Sequence, residues 1–116
     1  MKPIDLLDSQ KALQSYAGLQ VYLHLETTNG AYATHNDESF FSAGAFIRNV
    51  SICFEEGKII GDGPYRVGLR MKEGWVYAEG ITHYEIDEFG RLLMAGLDQS
   101  GRLAVAFEIS TTPFDK

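Results

Sequence analysis

The sequence predicts an all-β fold: an antiparallel meander that closes into a distorted sandwich or barrel, with one short N-terminal helix. Two near-copies of one phrase near the C-terminus support this, Asp87-Glu88-Phe89-Gly90-Arg91-Leu92 and Asp98-Gln99-Ser100-Gly101-Arg102-Leu103. In each, the aspartate can open a type I turn, and the glycine three residues later can take the left-handed conformation of a bulged hairpin. The second observation is the strict alternation of apolar and polar residues over 19–27, which is typical of a half-buried strand.

The elements follow in order along the chain. Residues 4–17 predict the helix, because Asp5 and Asp8 suit its positive N-terminal end and Gly18 can end it. Its modest apolar stripe consists of Leu6, Leu13 and Tyr16. Strands are then expected at residues 19–27, 46–54, 58–60, 65–71, 75–86, 92–97 and 104–109.

Glycines mark the expected turns between these strands. Asn29-Gly30 is the strongest two-residue hairpin signal, and residues 61–64 predict a loop. Five turn glycines predict five hairpins in one continuous up-and-down sheet: Gly30, Gly57, Gly74, Gly90 and Gly101. Because residues 92–97 are apolar on both faces, we expect the meander to lie centrally, with the helix covering an open end or face.

Size and charge restrict the function classes. The 116 residues and 12.9 kDa suit one domain spanning 1–116. The net charge of −6 argues against a nucleic-acid or anionic-membrane binder. No apolar run resembles a signal peptide or membrane span, so we expect a cytoplasmic protein without a membrane partner. The single cysteine, Cys53, excludes an internal disulfide and is expected to be a buried structural thiol.

Two histidines suggest a metal site. A two-residue turn at Asn29-Gly30 would set His24 directly opposite His35, with Glu26 one step along on the same non-core face. Two imidazoles and a carboxylate at that spacing can share a metal ion. The alternative is a pair of solvated surface histidines, and whether metal binds stays open.

His83 is the third histidine. With a three-residue loop after Asp87, His83 shares a face with Leu93 and Ala95, and we expect a core histidine held by a hydrogen bond. A change of one residue in the turn would reverse its face. The alternative is an acid–base cavity lined by Glu79, His83 and Glu85.

A basic row provides another candidate ligand site. Arg66, Arg70 and Lys72 share one strand face, and Gly68 leaves space between the two arginines. Such a row can hold a carboxylate or phosphate, although a solvated face or a charged, protected edge is the alternative. Six aromatic residues could supply a ligand-stacking wall or pack in the core: Tyr22, Tyr32, Tyr65, Trp75, Tyr77 and Tyr84.

Four stretches resemble the YojF-like family of small uncharacterised proteins of bacilli. They are residues 24–32, HLETTNGAY; 46–49, FIRN; 63–69, GPYRVGL; and 74–77, GWVY. The resemblance spans nearly the whole chain and implies a mainly β, sandwich-like or barrel fold. It supplies no catalytic residues, because the family has no established activity.

The same resemblance implies an accessory role. Family members are often encoded beside a deacetylase of bacillithiol metabolism, a low-molecular-weight thiol pathway, so that deacetylase is an expected partner by association. A homo-oligomer, for example a homodimer, is a second expected partner. We expect no cofactor.

We therefore favour a non-catalytic ligand-binding or accessory protein linked to bacillithiol metabolism, and leave an enzyme open. The alternatives are a small metal-dependent enzyme using His24, Glu26 and His35, and a binder of anionic small metabolites through Arg66 and Arg70. The candidate ligand-binding residues are Arg66, Arg70, His24, Glu26 and His35.

Overall fold

Two antiparallel sheets and one helix make up the protein in the computed structural model, which describes residues 1–29 and 43–115. The elements are β1 (Lys2–Pro3), α1 (Leu6–Gln14), β2 (Val21–Asn29), β3 (Ala43–Ile52), β4 (Phe54–Ile60), β5 (Tyr65–Met71), β6 (Trp75–Ile81), β7 (His83–Ile86), β8 (Leu92–Leu97) and β9 (Leu103–Ser110). The large sheet has the order β1-β7-β8-β9-β2-β3, and the small sheet has the order β4-β5-β6. The all-β prediction is confirmed: over the described ranges the sheets form a sandwich-like arrangement rather than a closed barrel.

The C-terminal meander is confirmed as β7-β8-β9, and its two turns share one geometry. Asp87 N–H donates to the Arg91 carbonyl at 3.0 Å, and Gly90 N–H donates back to Asp87 at 3.0 Å. The second turn repeats both bonds from Asp98 and Gly101, at 2.8 and 2.9 Å. Both glycines have φ near +80°, as a glycine bulge requires. The repeated phrase therefore reflects repeated turn chemistry.

The core lies between the inner faces of the two sheets and is closed by the helix. Val21 and Leu23 of β2 point inward, as the alternation predicted. The largest side chains in this core are Tyr84, Phe54, Phe107, Leu13, Leu23, Leu69, Ile81, Leu92, Met94 and Ile109. Sequestering these apolar groups from water is the main favourable term for folding.

The helix is shorter than predicted. Asp5 caps it by accepting a hydrogen bond from the Asp8 N–H at 3.1 Å, and Gly18 follows its end with φ +82°. Leu13 and Tyr16 are buried as expected, whereas Leu6 is exposed. None of the helical segments within the two described ranges has the length and hydropathy to span a bilayer.

The predicted turn at Gly57 is wrong. Gly57 lies inside β4, opposite Leu69, and an added Cβ would lie 2.7 Å from Leu13 Cγ. The chain instead passes from one sheet to the other at Cys53, between β3 and β4. Cys53 is exposed there, so the expectation of a buried thiol is also wrong.

Helix side chains cover the edge of β4. The Gln10 side chain donates to the Gly57 carbonyl and accepts from the Ile59 N–H, both at 2.8 Å. Gln14 accepts from the Gly57 N–H at 3.0 Å. These amides replace a neighbouring strand and satisfy backbone groups of a sheet edge.

The predicted strand over 75–86 is divided between the sheets at Thr82, so the single continuous sheet is wrong. Thr82 N–H donates to the Ala95 carbonyl at 2.9 Å, and its hydroxyl accepts from the Leu97 N–H at 3.1 Å. Just before this change, β6 passes over β8 so closely that a Cβ at Gly96 would lie 2.0 Å from the Gly80 carbonyl oxygen. Glycine at position 96 is therefore a condition of the sheet contact.

We expect Gly96→Ala to lower the free energy of unfolding by about 3 kcal/mol, because its methyl group would force the packed backbone of β6 away. Urea denaturation measures the change. Gly68→Ala is the matched control, because an added Cβ there lies 3.9 Å from its nearest neighbour. Equal stabilities for Gly96→Ala and wild type would contradict the close sheet contact.

Acid should weaken the first meander turn through Asp87. Burial opposes ionisation of this carboxyl, but hydrogen bonds from the Arg91 and Phe89 N–H groups and the Arg91 guanidinium, 2.5 Å away, lower its pKa overall. A depressed folded-state pKa contributes stability above the unfolded value, near 3.8, which is lost as pH falls through the folded-state value.

The unfolding free energy of Asp87→Asn should therefore fall less steeply than that of wild type as pH drops below about 4. Urea titrations between pH 7 and pH 3 measure both slopes. Asp62→Asn, in an exposed loop, keeps the Asp87–Arg91 pair and should retain the wild-type slope. Parallel curves for Asp87→Asn and wild type would disprove the role of Asp87.

Candidate functional site

The outer face of the small sheet is the surface that faces away from the core. Its three strands align Lys58, Gly68 and Tyr77 in one row and Glu56, Arg70 and Trp75 in the next. The whole face comprises Glu56, Lys58, Ile60, Arg66, Gly68, Arg70, Trp75, Tyr77 and Glu79. Alternation along each strand produces it, because the residues between these point into the core.

This outer face exposes large apolar groups. Trp75 is 69% exposed, Tyr77 58% and Ile60 46%. A shallow depression of about 180 Å³ lies among them, lined by Lys58, Ile60, Arg66, Gly68, Trp75 and Tyr77. The sequence suggested Trp75 and Tyr77 as a stacking wall or as core residues, and their exposure favours the wall. Tyr84, in contrast, is a core residue.

Two residues of the basic row, Arg66 and Arg70, lie on this outer face, while Lys72 lies beyond the end of β5. Each guanidinium already has carboxylate partners. Arg66 pairs with Glu79 and lies 5.0 Å from the centroid of the Tyr77 ring.

Arg70 lies 3.0 Å from Glu55 and 3.7 Å from Glu56. A β-bulge in β4 brings these two consecutive glutamates to one arginine. An anionic ligand of Arg66 or Arg70 must therefore compete with these carboxylates.

Lys58 differs from the two arginines. Within residues 1–29 and 43–115, no carboxylate oxygen lies within 4.0 Å of its ammonium group. Lys58 was not among the predicted site residues, because only the strand register places it beside Gly68.

The strand neighbours of His24 differ from those expected for a two-residue hairpin at Asn29-Gly30. Strand β2 lies between β3 and β9, which place Arg48 and Glu108 opposite His24. His35 lies outside the described residues, as do Gly30 and Tyr32. Glu26 is beside His24 on the same face, as predicted, with 3.4 Å between His24 Nε2 and Glu26 Oε1. The ligand role of these residues stays a prediction.

His24 is buried, with only 5% of its surface exposed. Arg48 Nη1 lies 3.2 Å from His24 Nδ1, and because arginine can only donate, Nδ1 is the acceptor. The proton of the neutral ring is then on Nε2, facing Glu26. The Phe46 and Phe114 rings contact the imidazole edge-on. Across the described part of the chain, no three His, Cys, Asp or Glu side chains converge as metal ligands.

Residues after β9 pack against this cluster. The Asn49 side chain donates to the Phe114 carbonyl at 2.8 Å and accepts from the Phe114 N–H at 2.7 Å. Arg48 donates twice to the Asp115 carbonyl, at 2.9 and 2.6 Å. Asn49 has φ +59°, a conformation that asparagine tolerates better than most residues. Neither Arg48 nor Asn49 was predicted from the sequence to hold the residues after β9.

His83 is half-buried, and its Nδ1 lies 2.7 Å from the Thr82 hydroxyl. It shares a face with Leu93 and Ala95 as predicted, and the three-residue loop is confirmed. The main core lies on the opposite face, with Tyr84, so His83 is not a core histidine. The alternative acid–base cavity is not formed, because Glu79 belongs to the small sheet and pairs with Arg66 there.

Comparisons with known proteins give one consistent result. A family model described as "Protein of unknown function (DUF1806)" matches residues 3–114. The "Uncharacterized protein YojF" of Bacillus subtilis (strain 168) is 50% identical over 114 residues, which is 98% of each chain. The crystal structure of Bacillus subtilis YojF matches with a TM-score of 0.83 at 46% identity, covering 99% of this chain and 97% of that one.

We expect Asn49→Gly to release the residues around Phe114, because glycine keeps the backbone conformation but loses both side-chain hydrogen bonds. The free energy of unfolding should fall by about 1–2 kcal/mol. Hydrogen exchange should show lost protection of the Phe114 amide. Gln20→Ala, which removes an exposed hydrogen bond to Ser51, is the control. Unchanged protection at Phe114 would exclude the clamp.

Proposed function

The chain belongs to the DUF1806 family, to which it is matched over nearly its whole length, and we propose that it is a non-catalytic accessory protein of bacillithiol metabolism. Its working surface in this proposal is the outer face of the small sheet. The observation that carries the proposal is the exposure of Trp75, Tyr77 and Ile60 together on one face of the small sheet.

The composition of the outer face supports protein binding. Tryptophan, tyrosine and arginine are the residues enriched where alanine substitution costs most in protein interfaces. Here Trp75 and Tyr77 are adjacent to Arg66 and Arg70 on strands that a core holds in place. Scattered exposed apolar residues are normal, but a contiguous patch with a polar rim is typical of an interaction site.

The pairing of the candidate chemical groups supports a non-catalytic role. His24 Nδ1 accepts from Arg48, and the ring is enclosed by Phe46 and Phe114. Arg66 and Arg70 are held by glutamates. These groups are hydrogen-bonded or ion-paired with other side chains of the protein, whereas a catalytic acid or base must reach a substrate atom.

The proposed partner is the deacetylase of bacillithiol metabolism that the family resemblance implies. An apolar face on a core-packed sheet, whose two arginines are already paired with glutamates, suits docking without rearrangement, because few side chains must be ordered on binding. A second copy of this chain on the same face is the competing occupant, and the experiment separates the two.

The test is a pull-down of the deacetylase with the tagged protein, followed by calorimetric titration. We expect binding, and at least a tenfold loss of affinity in Trp75→Ala, since central aromatic anchors contribute about 2 kcal/mol or more. Leu7→Ala is the matched control, because Leu7 is an exposed apolar residue on the helix, 86% exposed against 69% for Trp75.

Two outcomes would refute the proposal. One is the absence of deacetylase binding at micromolar concentrations. The other is equal affinity of Trp75→Ala and wild type. A concentration-dependent dimer that Trp75→Ala dissociates, observed by sedimentation without the deacetylase, would assign the face to self-association instead.

A further inference from the structure

We propose that the depression over Gly68 binds a small aromatic acid, a flat ring carrying one carboxylate. This goes beyond the accessory role, which requires no small ligand, and it rests on the proposed function only in using the same surface. The site is formed by Lys58, Gly68, Trp75 and Tyr77, with Arg66 and Ile60 at its border.

The floor of the site is open because Gly68 has no side chain. Strand spacing places the Cα atoms of Lys58 and Tyr77, the neighbours of Gly68 on either side, about 10 Å apart. The backbone does not require glycine here: an added Cβ would meet only Tyr77 Cβ, at 3.9 Å. What glycine provides at this position is therefore space between two long side chains.

The walls of the site favour a ring. Trp75 and Tyr77 expose most of their surface beside the open floor, and aromatic faces attract other rings in stacked or edge-on arrangements. Arg66 covers part of the Tyr77 ring and is held there by Glu79. The volume of about 180 Å³ is below the usual range for drug-sized ligands, so the site suits one single or fused ring.

The charges of the site favour one negative group. Arg66 and Arg70 are neutralised by glutamates, whereas Lys58 has no carboxylate within 4.0 Å among the described residues. One unpaired ammonium group on the wall matches one carboxylate on the ligand. Glu56 and Glu79 border the same face and would repel a ligand of higher negative charge.

The experiment is an NMR titration of backbone amides in the full chain with three probes. We expect indole-3-acetate to shift the amides of Lys58, Gly68 and Tyr77 with saturation. Indole-3-acetamide, which has the ring but no charge, should bind at least fivefold more weakly. Acetate, which has the charge but no ring, should not saturate at the same concentrations.

Two variants test the roles of charge and space. Lys58→Gln should make the affinities for indole-3-acetate and indole-3-acetamide equal, whereas Lys72→Gln, outside the depression, should leave the wild-type ratio. Gly68→Val should abolish indole-3-acetate binding by filling the floor. The amide spectrum of each variant reports whether it is folded. If Gly68→Val does not fold, the affinities measured with Lys58→Gln test the inference.

The inference is overturned if indole-3-acetate shifts a different surface, or if wild type binds the acid and the amide equally. Unchanged binding by Gly68→Val would overturn it as well. These results are independent of the deacetylase pull-down, which contains no small ligand. If the protein binds the deacetylase but not indole-3-acetate, only this inference is refuted. If it binds indole-3-acetate but not the deacetylase, only the accessory role is refuted.

Discussion

The close contact between Gly80 and Gly96 determines how the two sheets are joined. With no side chain at position 96, β6 can lie against β8 and β9 before the chain changes sheet at Thr82. The Thr82 backbone and hydroxyl then bind Ala95 and Leu97 and fix that change. Because β6 is held in this way, its opposite side can present aromatic residues on a rigid outer face.

Local chemistry made part of the fold predictable. The two aspartate–glycine turns need only neighbouring residues, so their sequence specifies them almost completely. The sheet changes at Cys53 and Thr82 were not predicted, because strand-forming residues continue through both positions and the sequence pattern cannot tell one sheet from another. The turn predicted at Gly57 was wrong for a related reason. Glycine is suited both to a turn and to close contact with a helix, and only the position of Leu13 distinguishes the two.

Only those features of the candidate site that depend on a single strand could be predicted from the sequence. Alternation along β5 placed Arg66 and Arg70 on one face, but their glutamate partners come from neighbouring strands. The position of Lys58 beside Gly68 could not be predicted for the same reason, because the register of β4 and β5 determines it. The neighbours of His24 could not be predicted, because β2 pairs with two strands, β3 and β9, that are distant from it in sequence. Long-range pairing therefore limits what the residues alone reveal about this site.

The glutamines of the helix have a consequence for solution behaviour. Gln10 and Gln14 occupy hydrogen-bonding positions on β4 that another strand would otherwise fill. If helix α1 detached, β4 would present free N–H and C=O groups beside apolar side chains, and such an edge recruits strands from other molecules. The nine-residue helix thus covers a strand edge that could otherwise pair with a strand of another molecule.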